Sequence, residues 1–308
     1  MRPMIAAIAL FFILLALLQV PIPGASISIK SQQAAVVADR VQSSKAVFTP
    51  VEILAKGALV VTFPDGQRIF EKNSDEPMAL ASLVKLMTAL AVKEAIPNSA
   101  ITFGVSISEE DVLVEGDSGF LVGEEYAAGA LLDAMLVGSS NDAAHALARA
   151  SMFYLAENGA SPEFIGVLNN RARKIGLSRV SFFNESGLDV SETRSGGYGS
   201  ASDIAKLVIY ILKNFPGLLD STRLPDIRIE SLAGRKLIVQ NSNILAKLLP
   251  GLLLSKTGFT DIAGGNLVIA ADVGFQNPVI IVVLGSTEQG RFEDVLKLHD
   301  AAKIFYQQ

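Results

Sequence analysis

Strand-like sequence lies at the two ends of this chain and helix-like sequence between them, and that segregation limits the folds open to it. Leu59–Phe63 and Gln67–Phe70 flank Pro64-Asp65-Gly66, a pattern that predicts a β-hairpin with Asp-Gly in its turn. Apolar residues then recur at helical spacing over Ala81–Ile96, closed by Pro97, and again over roughly 127–137, 141–157, 162–175 and 201–214. Ser200 and Asp203 stand at N-cap and N3 spacing, where each can satisfy an orphan N–H of the last of these helices. After Gly264 the period changes: Asn266–Ala271 and Pro278–Gly285 are β-branched runs joined by Asp272–Asn277, and an amphipathic helix follows from about Arg291 to Tyr306. A βαβ protein would interleave the two periods. Here the order predicts an α+β fold, one mostly antiparallel sheet built from both chain ends and covered by helices. We expect a single domain over residues 51–308.

Residues 4–18 carry no charge or strongly polar group and follow Arg2. A run of this length is at the upper edge of a signal-peptide core and short of the ~20 residues of a comfortable membrane span. Residues 1–25 are therefore expected to be a signal peptide or an N-terminal membrane anchor, with Gly24, Ala25 and Ser26 a weak cleavage site. Either role puts the remainder outside the cytoplasmic membrane. Residues 26–50 mix Ser, Gln, Ala and scattered charges without a steady period and read as a linker or N-terminal arm.

Composition removes several chemistries. With 26 Lys+Arg against 31 Asp+Glu the net charge is −5, which argues against a nucleic-acid partner. The absence of cysteine excludes disulfides, thiolate-bound metals and thiol nucleophiles. His145 and His299 are the only histidines, so no His-rich metal site can form and any Ser-His-Asp triad must use one of them. Neither has a neighbouring Ser-Asp pattern, and both read as structural. Asp65, Asp75 and the run Glu109-Glu110-Asp111 read as solvated loop charges. No metal or organic cofactor is implied.

Three short motifs remain. In Ala81-Ser82-Leu83-Val84-Lys85 the hydroxyl and the amine are three residues apart and share one helix face. A serine hydroxyl is a weak nucleophile until a base takes its proton, and a lysine pushed towards its neutral form by burial and nearby cations can be that base. Taken alone, this tetrad describes a snorkelling lysine equally well. Ser139-Ser140-Asn141 would present a hydroxyl and a carboxamide from one loop, although it could equally cap the helix after it. Lys256-Thr257-Gly258 could hold a carboxylate, with Gly258 allowing a substrate backbone to approach; it could also be an ordinary turn. Each is weak alone, and the three in this order are strong together.

That order resembles the penicillin-binding acyl-serine superfamily, and more narrowly the serine D-Ala-D-Ala carboxypeptidases, the low-molecular-mass penicillin-binding proteins. The resemblance runs from about Ala58 to the C-terminus. It includes Glu71-Lys72-Asn73-Ser74-Asp75-Glu76-Pro77 before the nucleophile, Ser139-Ser140-Asn141-Asp142-Ala143-Ala144, and Asn184-Glu185-Ser186-Gly187-Leu188. It implies a β-lactamase/transpeptidase-like fold. It also implies removal of the terminal D-alanine from peptidoglycan stem peptides ending in D-Ala-D-Ala, with β-lactam antibiotics as covalent inhibitors. Carried over, Ser82 attacks the carbonyl, Lys85 takes its proton and Ser139 relays a proton to the leaving D-alanine. Asn141 binds the substrate amide, Lys256 and Thr257 face the terminal carboxylate, and Arg291 lies on the carboxylate side. The backbone N–H groups of Ser82 and Phe259 form the oxyanion hole. Convergence of Lys85, Lys256 and Arg291 is expected to lower the pKa of each.

Some positions depart from the family pattern. Phe259 stands where His often follows Lys-Thr-Gly, Ser242 where known members have Arg, and Leu254-Ser255 where Gly-Ile is commoner. The chain stops after its last helix, so membrane attachment is expected from the N-terminal segment. The alternatives are a D,D-endopeptidase on the same residues, a class A-like β-lactamase, and a non-catalytic wall-binding protein. A class A enzyme would carry Glu-x-x-Leu-Asn. Here Glu163 has Leu168-Asn169 too far downstream, and Glu185-Ser186-Gly187-Leu188-Asp189 ends in Asp. The wall-binding reading would be favoured by loss of Ser82, Lys85 or Ser139, and all three are present.

Overall fold

The computed structural model describes residues 47–49, 51–96, 103–116, 118–157 and 163–308. The expected signal or anchor at residues 1–25 lies outside the described residues, as does most of the expected arm. Strands β1 (Gly57–Thr62) and β2 (Arg68–Lys72) form the N-terminal hairpin. A 3-10 turn, Ala81–Leu83, leads into α1 (Val84–Ala95), and α2 (Ala128–Val137), α3 (Asn141–Glu157), α4 (Phe164–Lys174) and α5 (Ala201–Asn214) follow. Strands β3 (Leu252–Thr260), β4 (Gly264–Asp272) and β5 (Pro278–Ser286) and helix α6 (Gly290–Gln307) complete the chain.

The five strands form one antiparallel sheet in the order β3-β4-β5-β1-β2, so the two ends of the chain meet where β1 pairs with β5. Side chains alternate across each strand, and both faces are covered. Leu59, Val61, Val268, Ala270, Ile280 and Val282 pack under α1 and its neighbouring helices. Ala58, Val60, Leu267, Ile269, Ile281 and Val283 pack against Phe292, Val295 and Leu298 of α6. Burial on both faces explains why β4 and β5 read as unbroken apolar runs rather than as alternation. The α+β arrangement expected from the period changes is the one observed.

Three local expectations need correcting, and one hairpin was not expected. Val47 and Phe48, assigned to the arm, are buried in the α6-side core, with the Phe48 ring 5.3 Å from Phe70, so the folded body starts before Val51. Ser200 caps α5 by accepting from the Asp203 N–H at 3.1 Å, and the Asp203 carboxylate accepts in return from the Ser200 hydroxyl at 2.8 Å rather than from an N–H of the helix. The same carboxylate also accepts from the Ser178 and Arg179 N–H groups, each at 3.2 Å, tying the preceding loop to the helix. Asp111 is no solvated charge: it is fully buried, caps the short helix Glu109–Val112 in a box with Ser108, and binds His145 at 2.7 Å and Arg149 at 2.6 Å. Finally, the hairpin Asp226–Glu230 with Lys236–Gln240 went unread, although Ile227, Ile229, Leu237 and Val239 alternate at strand period. It packs Val239 against Gly138 and leads into Ser242, whose N–H donates to the Val137 carbonyl at 3.0 Å.

Candidate active site

Three segments distant in sequence converge beside the open edge of β3. The first is the turn carrying Ser82. Ala81, just before it, has φ 46°, a left-handed conformation that non-glycine residues occupy at a cost of about 1–3 kcal/mol. Two glycines hold it there. A Cβ on Gly187 would lie 1.9 Å from the Ala81 carbonyl oxygen, and one on Gly258 would lie 3.2 Å from the Ser82 nitrogen and 2.9 Å from the Leu80 oxygen. No larger residue fits at either position, so the Ser82 backbone N–H is brought directly against β3.

Lys85 sits one turn along, fully buried, with its ammonium donating to Ser82 Oγ at 2.9 Å, Asn141 Oδ1 at 2.7 Å and the Ser186 carbonyl at 2.7 Å. Burial pushes its pKa down to about 7, against a smaller raising pull from Glu185. The expectation that neighbouring cations depress it is therefore replaced by a simpler cause, desolvation. Lys256 does follow the expectation in part. Its pKa is lowered well below the usual lysine value, first by burial and then by the charges of Lys85 and Arg291.

The second segment is the loop before α3. Ser139 is also left-handed, at φ 60°, and its Oγ accepts from Lys256 Nζ at 2.8 Å. Asn141 opens α3 with Oδ1 on Lys85, while its Nδ2 donates to the Glu115 carbonyl at 2.6 Å. An amide nitrogen has two hydrogens, so one remains for another acceptor. Ser140 faces away from the cluster: its Oγ bonds Ser118 at 2.7 Å and accepts from the Ala143 N–H at 3.0 Å.

The third segment is β3 itself. Lys256-Thr257-Gly258 lies within the strand rather than in a turn. Thr257 Oγ1 is 2.6 Å from Ser242 Oγ, and Lys256 Nζ also donates to the Thr257 carbonyl at 3.0 Å. Phe259 is 43% exposed at the strand end. Arg291, expected on the carboxylate side, is buried at the start of α6, and its Nη1 donates to the Gly258 carbonyl at 2.9 Å.

The structure thus brings Ser82, Lys85, Ser139, Asn141, Lys256, Thr257 and Gly258 together. It adds three residues that the resemblance includes but gives no role. Asn184 folds the loop beneath Lys85, accepting from the Gly187 N–H at 2.7 Å and donating to the Leu188 carbonyl at 2.8 Å. Ser186 supplies a backbone acceptor to Lys85, and the Glu185 carbonyl accepts from Thr88 Oγ1 at 2.7 Å. Only the Asn-x-x-Gly-Leu pattern hinted at this loop. His145 is taken up by Asp111, and His299 Nδ1 faces Asp300 at 3.3 Å, which suits their structural reading. Among the described residues no group of three or more His, Asp or Glu is arranged to hold a metal ion.

Residues 42–288 match the family model for D-alanyl-D-alanine carboxypeptidases. The chain belongs to that family. Among curated carboxypeptidases it is 31% identical over 256 residues to D-alanyl-D-alanine carboxypeptidase DacF of Bacillus subtilis, covering 82% of this chain and 63% of that protein. A D-alanyl-D-alanine endopeptidase of Haemophilus influenzae is 29% identical over 237 residues, 76% of each chain. The chain thus spans about three-fifths of the length of the first carboxypeptidases it matches. Among solved structures, penicillin-binding protein D2 of Listeria monocytogenes in its ampicillin-bound form superimposes with a TM-score of 0.66 at 28% identity, over 82% of this chain and 98% of that one. The DD-transpeptidase of Streptomyces K15, at 24% identity and TM-score 0.71, shares the fold over 82% of this chain and 98% of its own. The β-lactamase/transpeptidase-like architecture expected for this carboxypeptidase-family chain is the one found.

Proposed function

We propose that the chain is a serine D-Ala-D-Ala carboxypeptidase that cleaves the terminal D-alanine from peptidoglycan stem peptides through an acyl-enzyme on Ser82, and that penicillin acylates the same hydroxyl. The contact of Lys85 with Ser82 carries this reading. A neutral amine has two N–H groups and one lone pair. Asn141 Oδ1 and the Ser186 carbonyl take the two N–H groups, which leaves the lone pair for the Ser82 hydroxyl proton. Burial lowers its pKa to about 7, which brings the neutral form within reach at neutral pH.

In the proposed reaction Ser82 Oγ bonds to the penultimate D-alanine carbonyl carbon as its proton passes to Lys85. The oxyanion rests between the Ser82 and Phe259 N–H groups. Ser139 delivers a proton to the departing nitrogen as the C–N bond breaks, and Lys256, hydrogen-bonded to Ser139, resupplies that path. The second Asn141 N–H takes the substrate amide, and Thr257 with Lys256 holds the terminal carboxylate. Water then hydrolyses the ester. Such an activity belongs outside the cytoplasmic membrane, in keeping with the role proposed for residues 1–25.

One observation favours a second reading, D,D-endopeptidase. The neighbour of Thr257 is the neutral Ser242 hydroxyl, so the carboxylate end carries no added guanidinium and tolerates an amide there. Intact-mass spectrometry with benzylpenicillin tests the common step. A one-to-one adduct is expected, absent in Ser82→Ala, whose thermal melt should stay close to that of the parent. Labelling retained by Ser82→Ala would sink the nucleophile assignment. Comparing D-alanine release from a pentapeptide with cleavage of a cross-linked dimer then separates the two peptidase readings.

A further inference from the structure

The buried guanidinium of Arg291 and the Phe259 N–H sit on opposite sides of a single peptide unit. Arg291 Nη1 donates to the Gly258 carbonyl oxygen at 2.9 Å. The Phe259 N–H belongs to the same plane and, in a trans peptide, points away from that oxygen. It is also the second oxyanion donor proposed above. We propose that Arg291 is a positioning residue that polarises the Gly258–Phe259 peptide and so strengthens Phe259 as an oxyanion donor, without its guanidinium meeting the substrate. This rests on the acyl-serine reading of the site.

The surroundings favour that use of the charge. The guanidinium lies 5.9 Å from the centroid of the Phe259 ring and 4.7 Å from that of Phe292, so aromatic surface rather than water flanks it. Among the described residues its Nε has no hydrogen-bond partner, and the one carboxylate whose charge acts on it, Glu288, pulls less strongly than burial pushes, so the bond to the carbonyl stays its main polar contact. A positive charge at the carbonyl oxygen favours the resonance form in which the nitrogen is positive, and the N–H becomes a better donor. Charge-assisted bonds are about twice as strong as neutral ones, and chains of hydrogen bonds reinforce one another by roughly 10–30% per bond. The same bond fixes the tilt of the peptide plane, which decides where the N–H is aimed. Gly258 has no side chain to shield the unit from Ser82, against whose nitrogen it packs.

The test uses the full chain, acylated with a penicillin carrying a 13C-labelled β-lactam carbonyl, and reads the acyl carbonyl stretch by infrared difference spectroscopy. Arg291→Gln keeps a donor and removes the charge. Its band is expected at higher wavenumber than the parent's, with acylation slowed about tenfold and the dissociation constant of the non-covalent complex changed less than twofold. That is a fraction of the about 10²–10³ lost when a whole oxyanion donor is removed. Arg291→Lys keeps the charge and should place the band between the two; it carries the test alone if Arg291→Gln does not stay folded. Unshifted bands overturn the inference. A tenfold weaker non-covalent complex with an unshifted band overturns it too, in favour of direct carboxylate binding. Failure of the parent protein to form any adduct would instead overturn the acyl-serine reading, and this inference with it.

Discussion

Lys85 Nζ stands 2.9 Å from Ser82 Oγ with two further oxygen acceptors at 2.7 Å, so its charged and neutral forms are both fully partnered. Losing a proton strands no buried polar group. The lysine can therefore change protonation state at little structural cost, which a base in a closed site requires.

Acylation should follow the neutral fraction of Lys85. Its rate constant is expected to rise about tenfold per pH unit below 7 and to level off above it, following a pKa lowered by burial to about 7. The sign for stability is the same. Between about 7 and the ordinary lysine value of 10.5 the unfolded chain binds the extra proton, so this group makes the fold more stable as pH rises across that window. Stopped-flow acylation and denaturant melts at matched pH check both, and a flat acylation profile from pH 5 to 8 would remove Lys85 as the base.

Gly258→Ala separates close approach from turn geometry. Gly258 is not left-handed, so its replacement meets only steric contacts, at 2.9 Å with the Leu80 oxygen and 3.2 Å with the Ser82 nitrogen. Pushing these apart should cost about 1–3 kcal/mol of stability and slow acylation at least tenfold, because the oxyanion donors separate. Gly187→Ala should be worse for folding, with φ +84° and a Cβ at 1.9 Å from the Ala81 oxygen. Thermal melts and acylation rates of the two variants provide the comparison.

Asp111 should govern acid stability. Its carboxyl is held well below the usual range: His145 and Arg149 hydrogen bonds, with those from Ser108, overcome an opposing burial effect. A depressed carboxyl stabilises the fold above its unfolded pKa of ~3.9, and that contribution is lost as pH falls below it. His145, raised by Asp111, behaves oppositely: its contribution is present below ~6.5 and fades as pH climbs through its raised value. Asp111→Asn should flatten the stability profile on both limbs, measured by urea midpoints from pH 3 to 8.

Ser242→Arg tests the carboxylate end of the site. The new guanidinium beside Thr257 should raise kcat/KM on peptides with a free terminal carboxylate about tenfold over cross-linked ones, in line with about 1.5–3 kcal/mol for a charged hydrogen bond. An unchanged ratio in the two peptidase assays would place the determinant elsewhere.

Much of this was legible in the chain alone, because the evidence for it is local. Period changes identified the longer helices and the strands of the sheet other than β3, and residue type at fixed spacing identified Ser82 with Lys85, Ser139 with Asn141, and Lys256 with Thr257. What distance in sequence conceals was decided by tertiary packing. No local pattern says that Ser186, 101 positions from Lys85, supplies its third acceptor, or that Arg291 reaches 33 positions back to the Gly258 carbonyl. Burial of Asp111 depends on an arginine and a histidine from another helix, so its charge looked solvated until that helix was docked. Hydrophobic pattern and turn chemistry act between neighbours on the chain and specify which elements form. Desolvation, and with it the pKa of Lys85, is a property of the assembled core, and only the fold sets it.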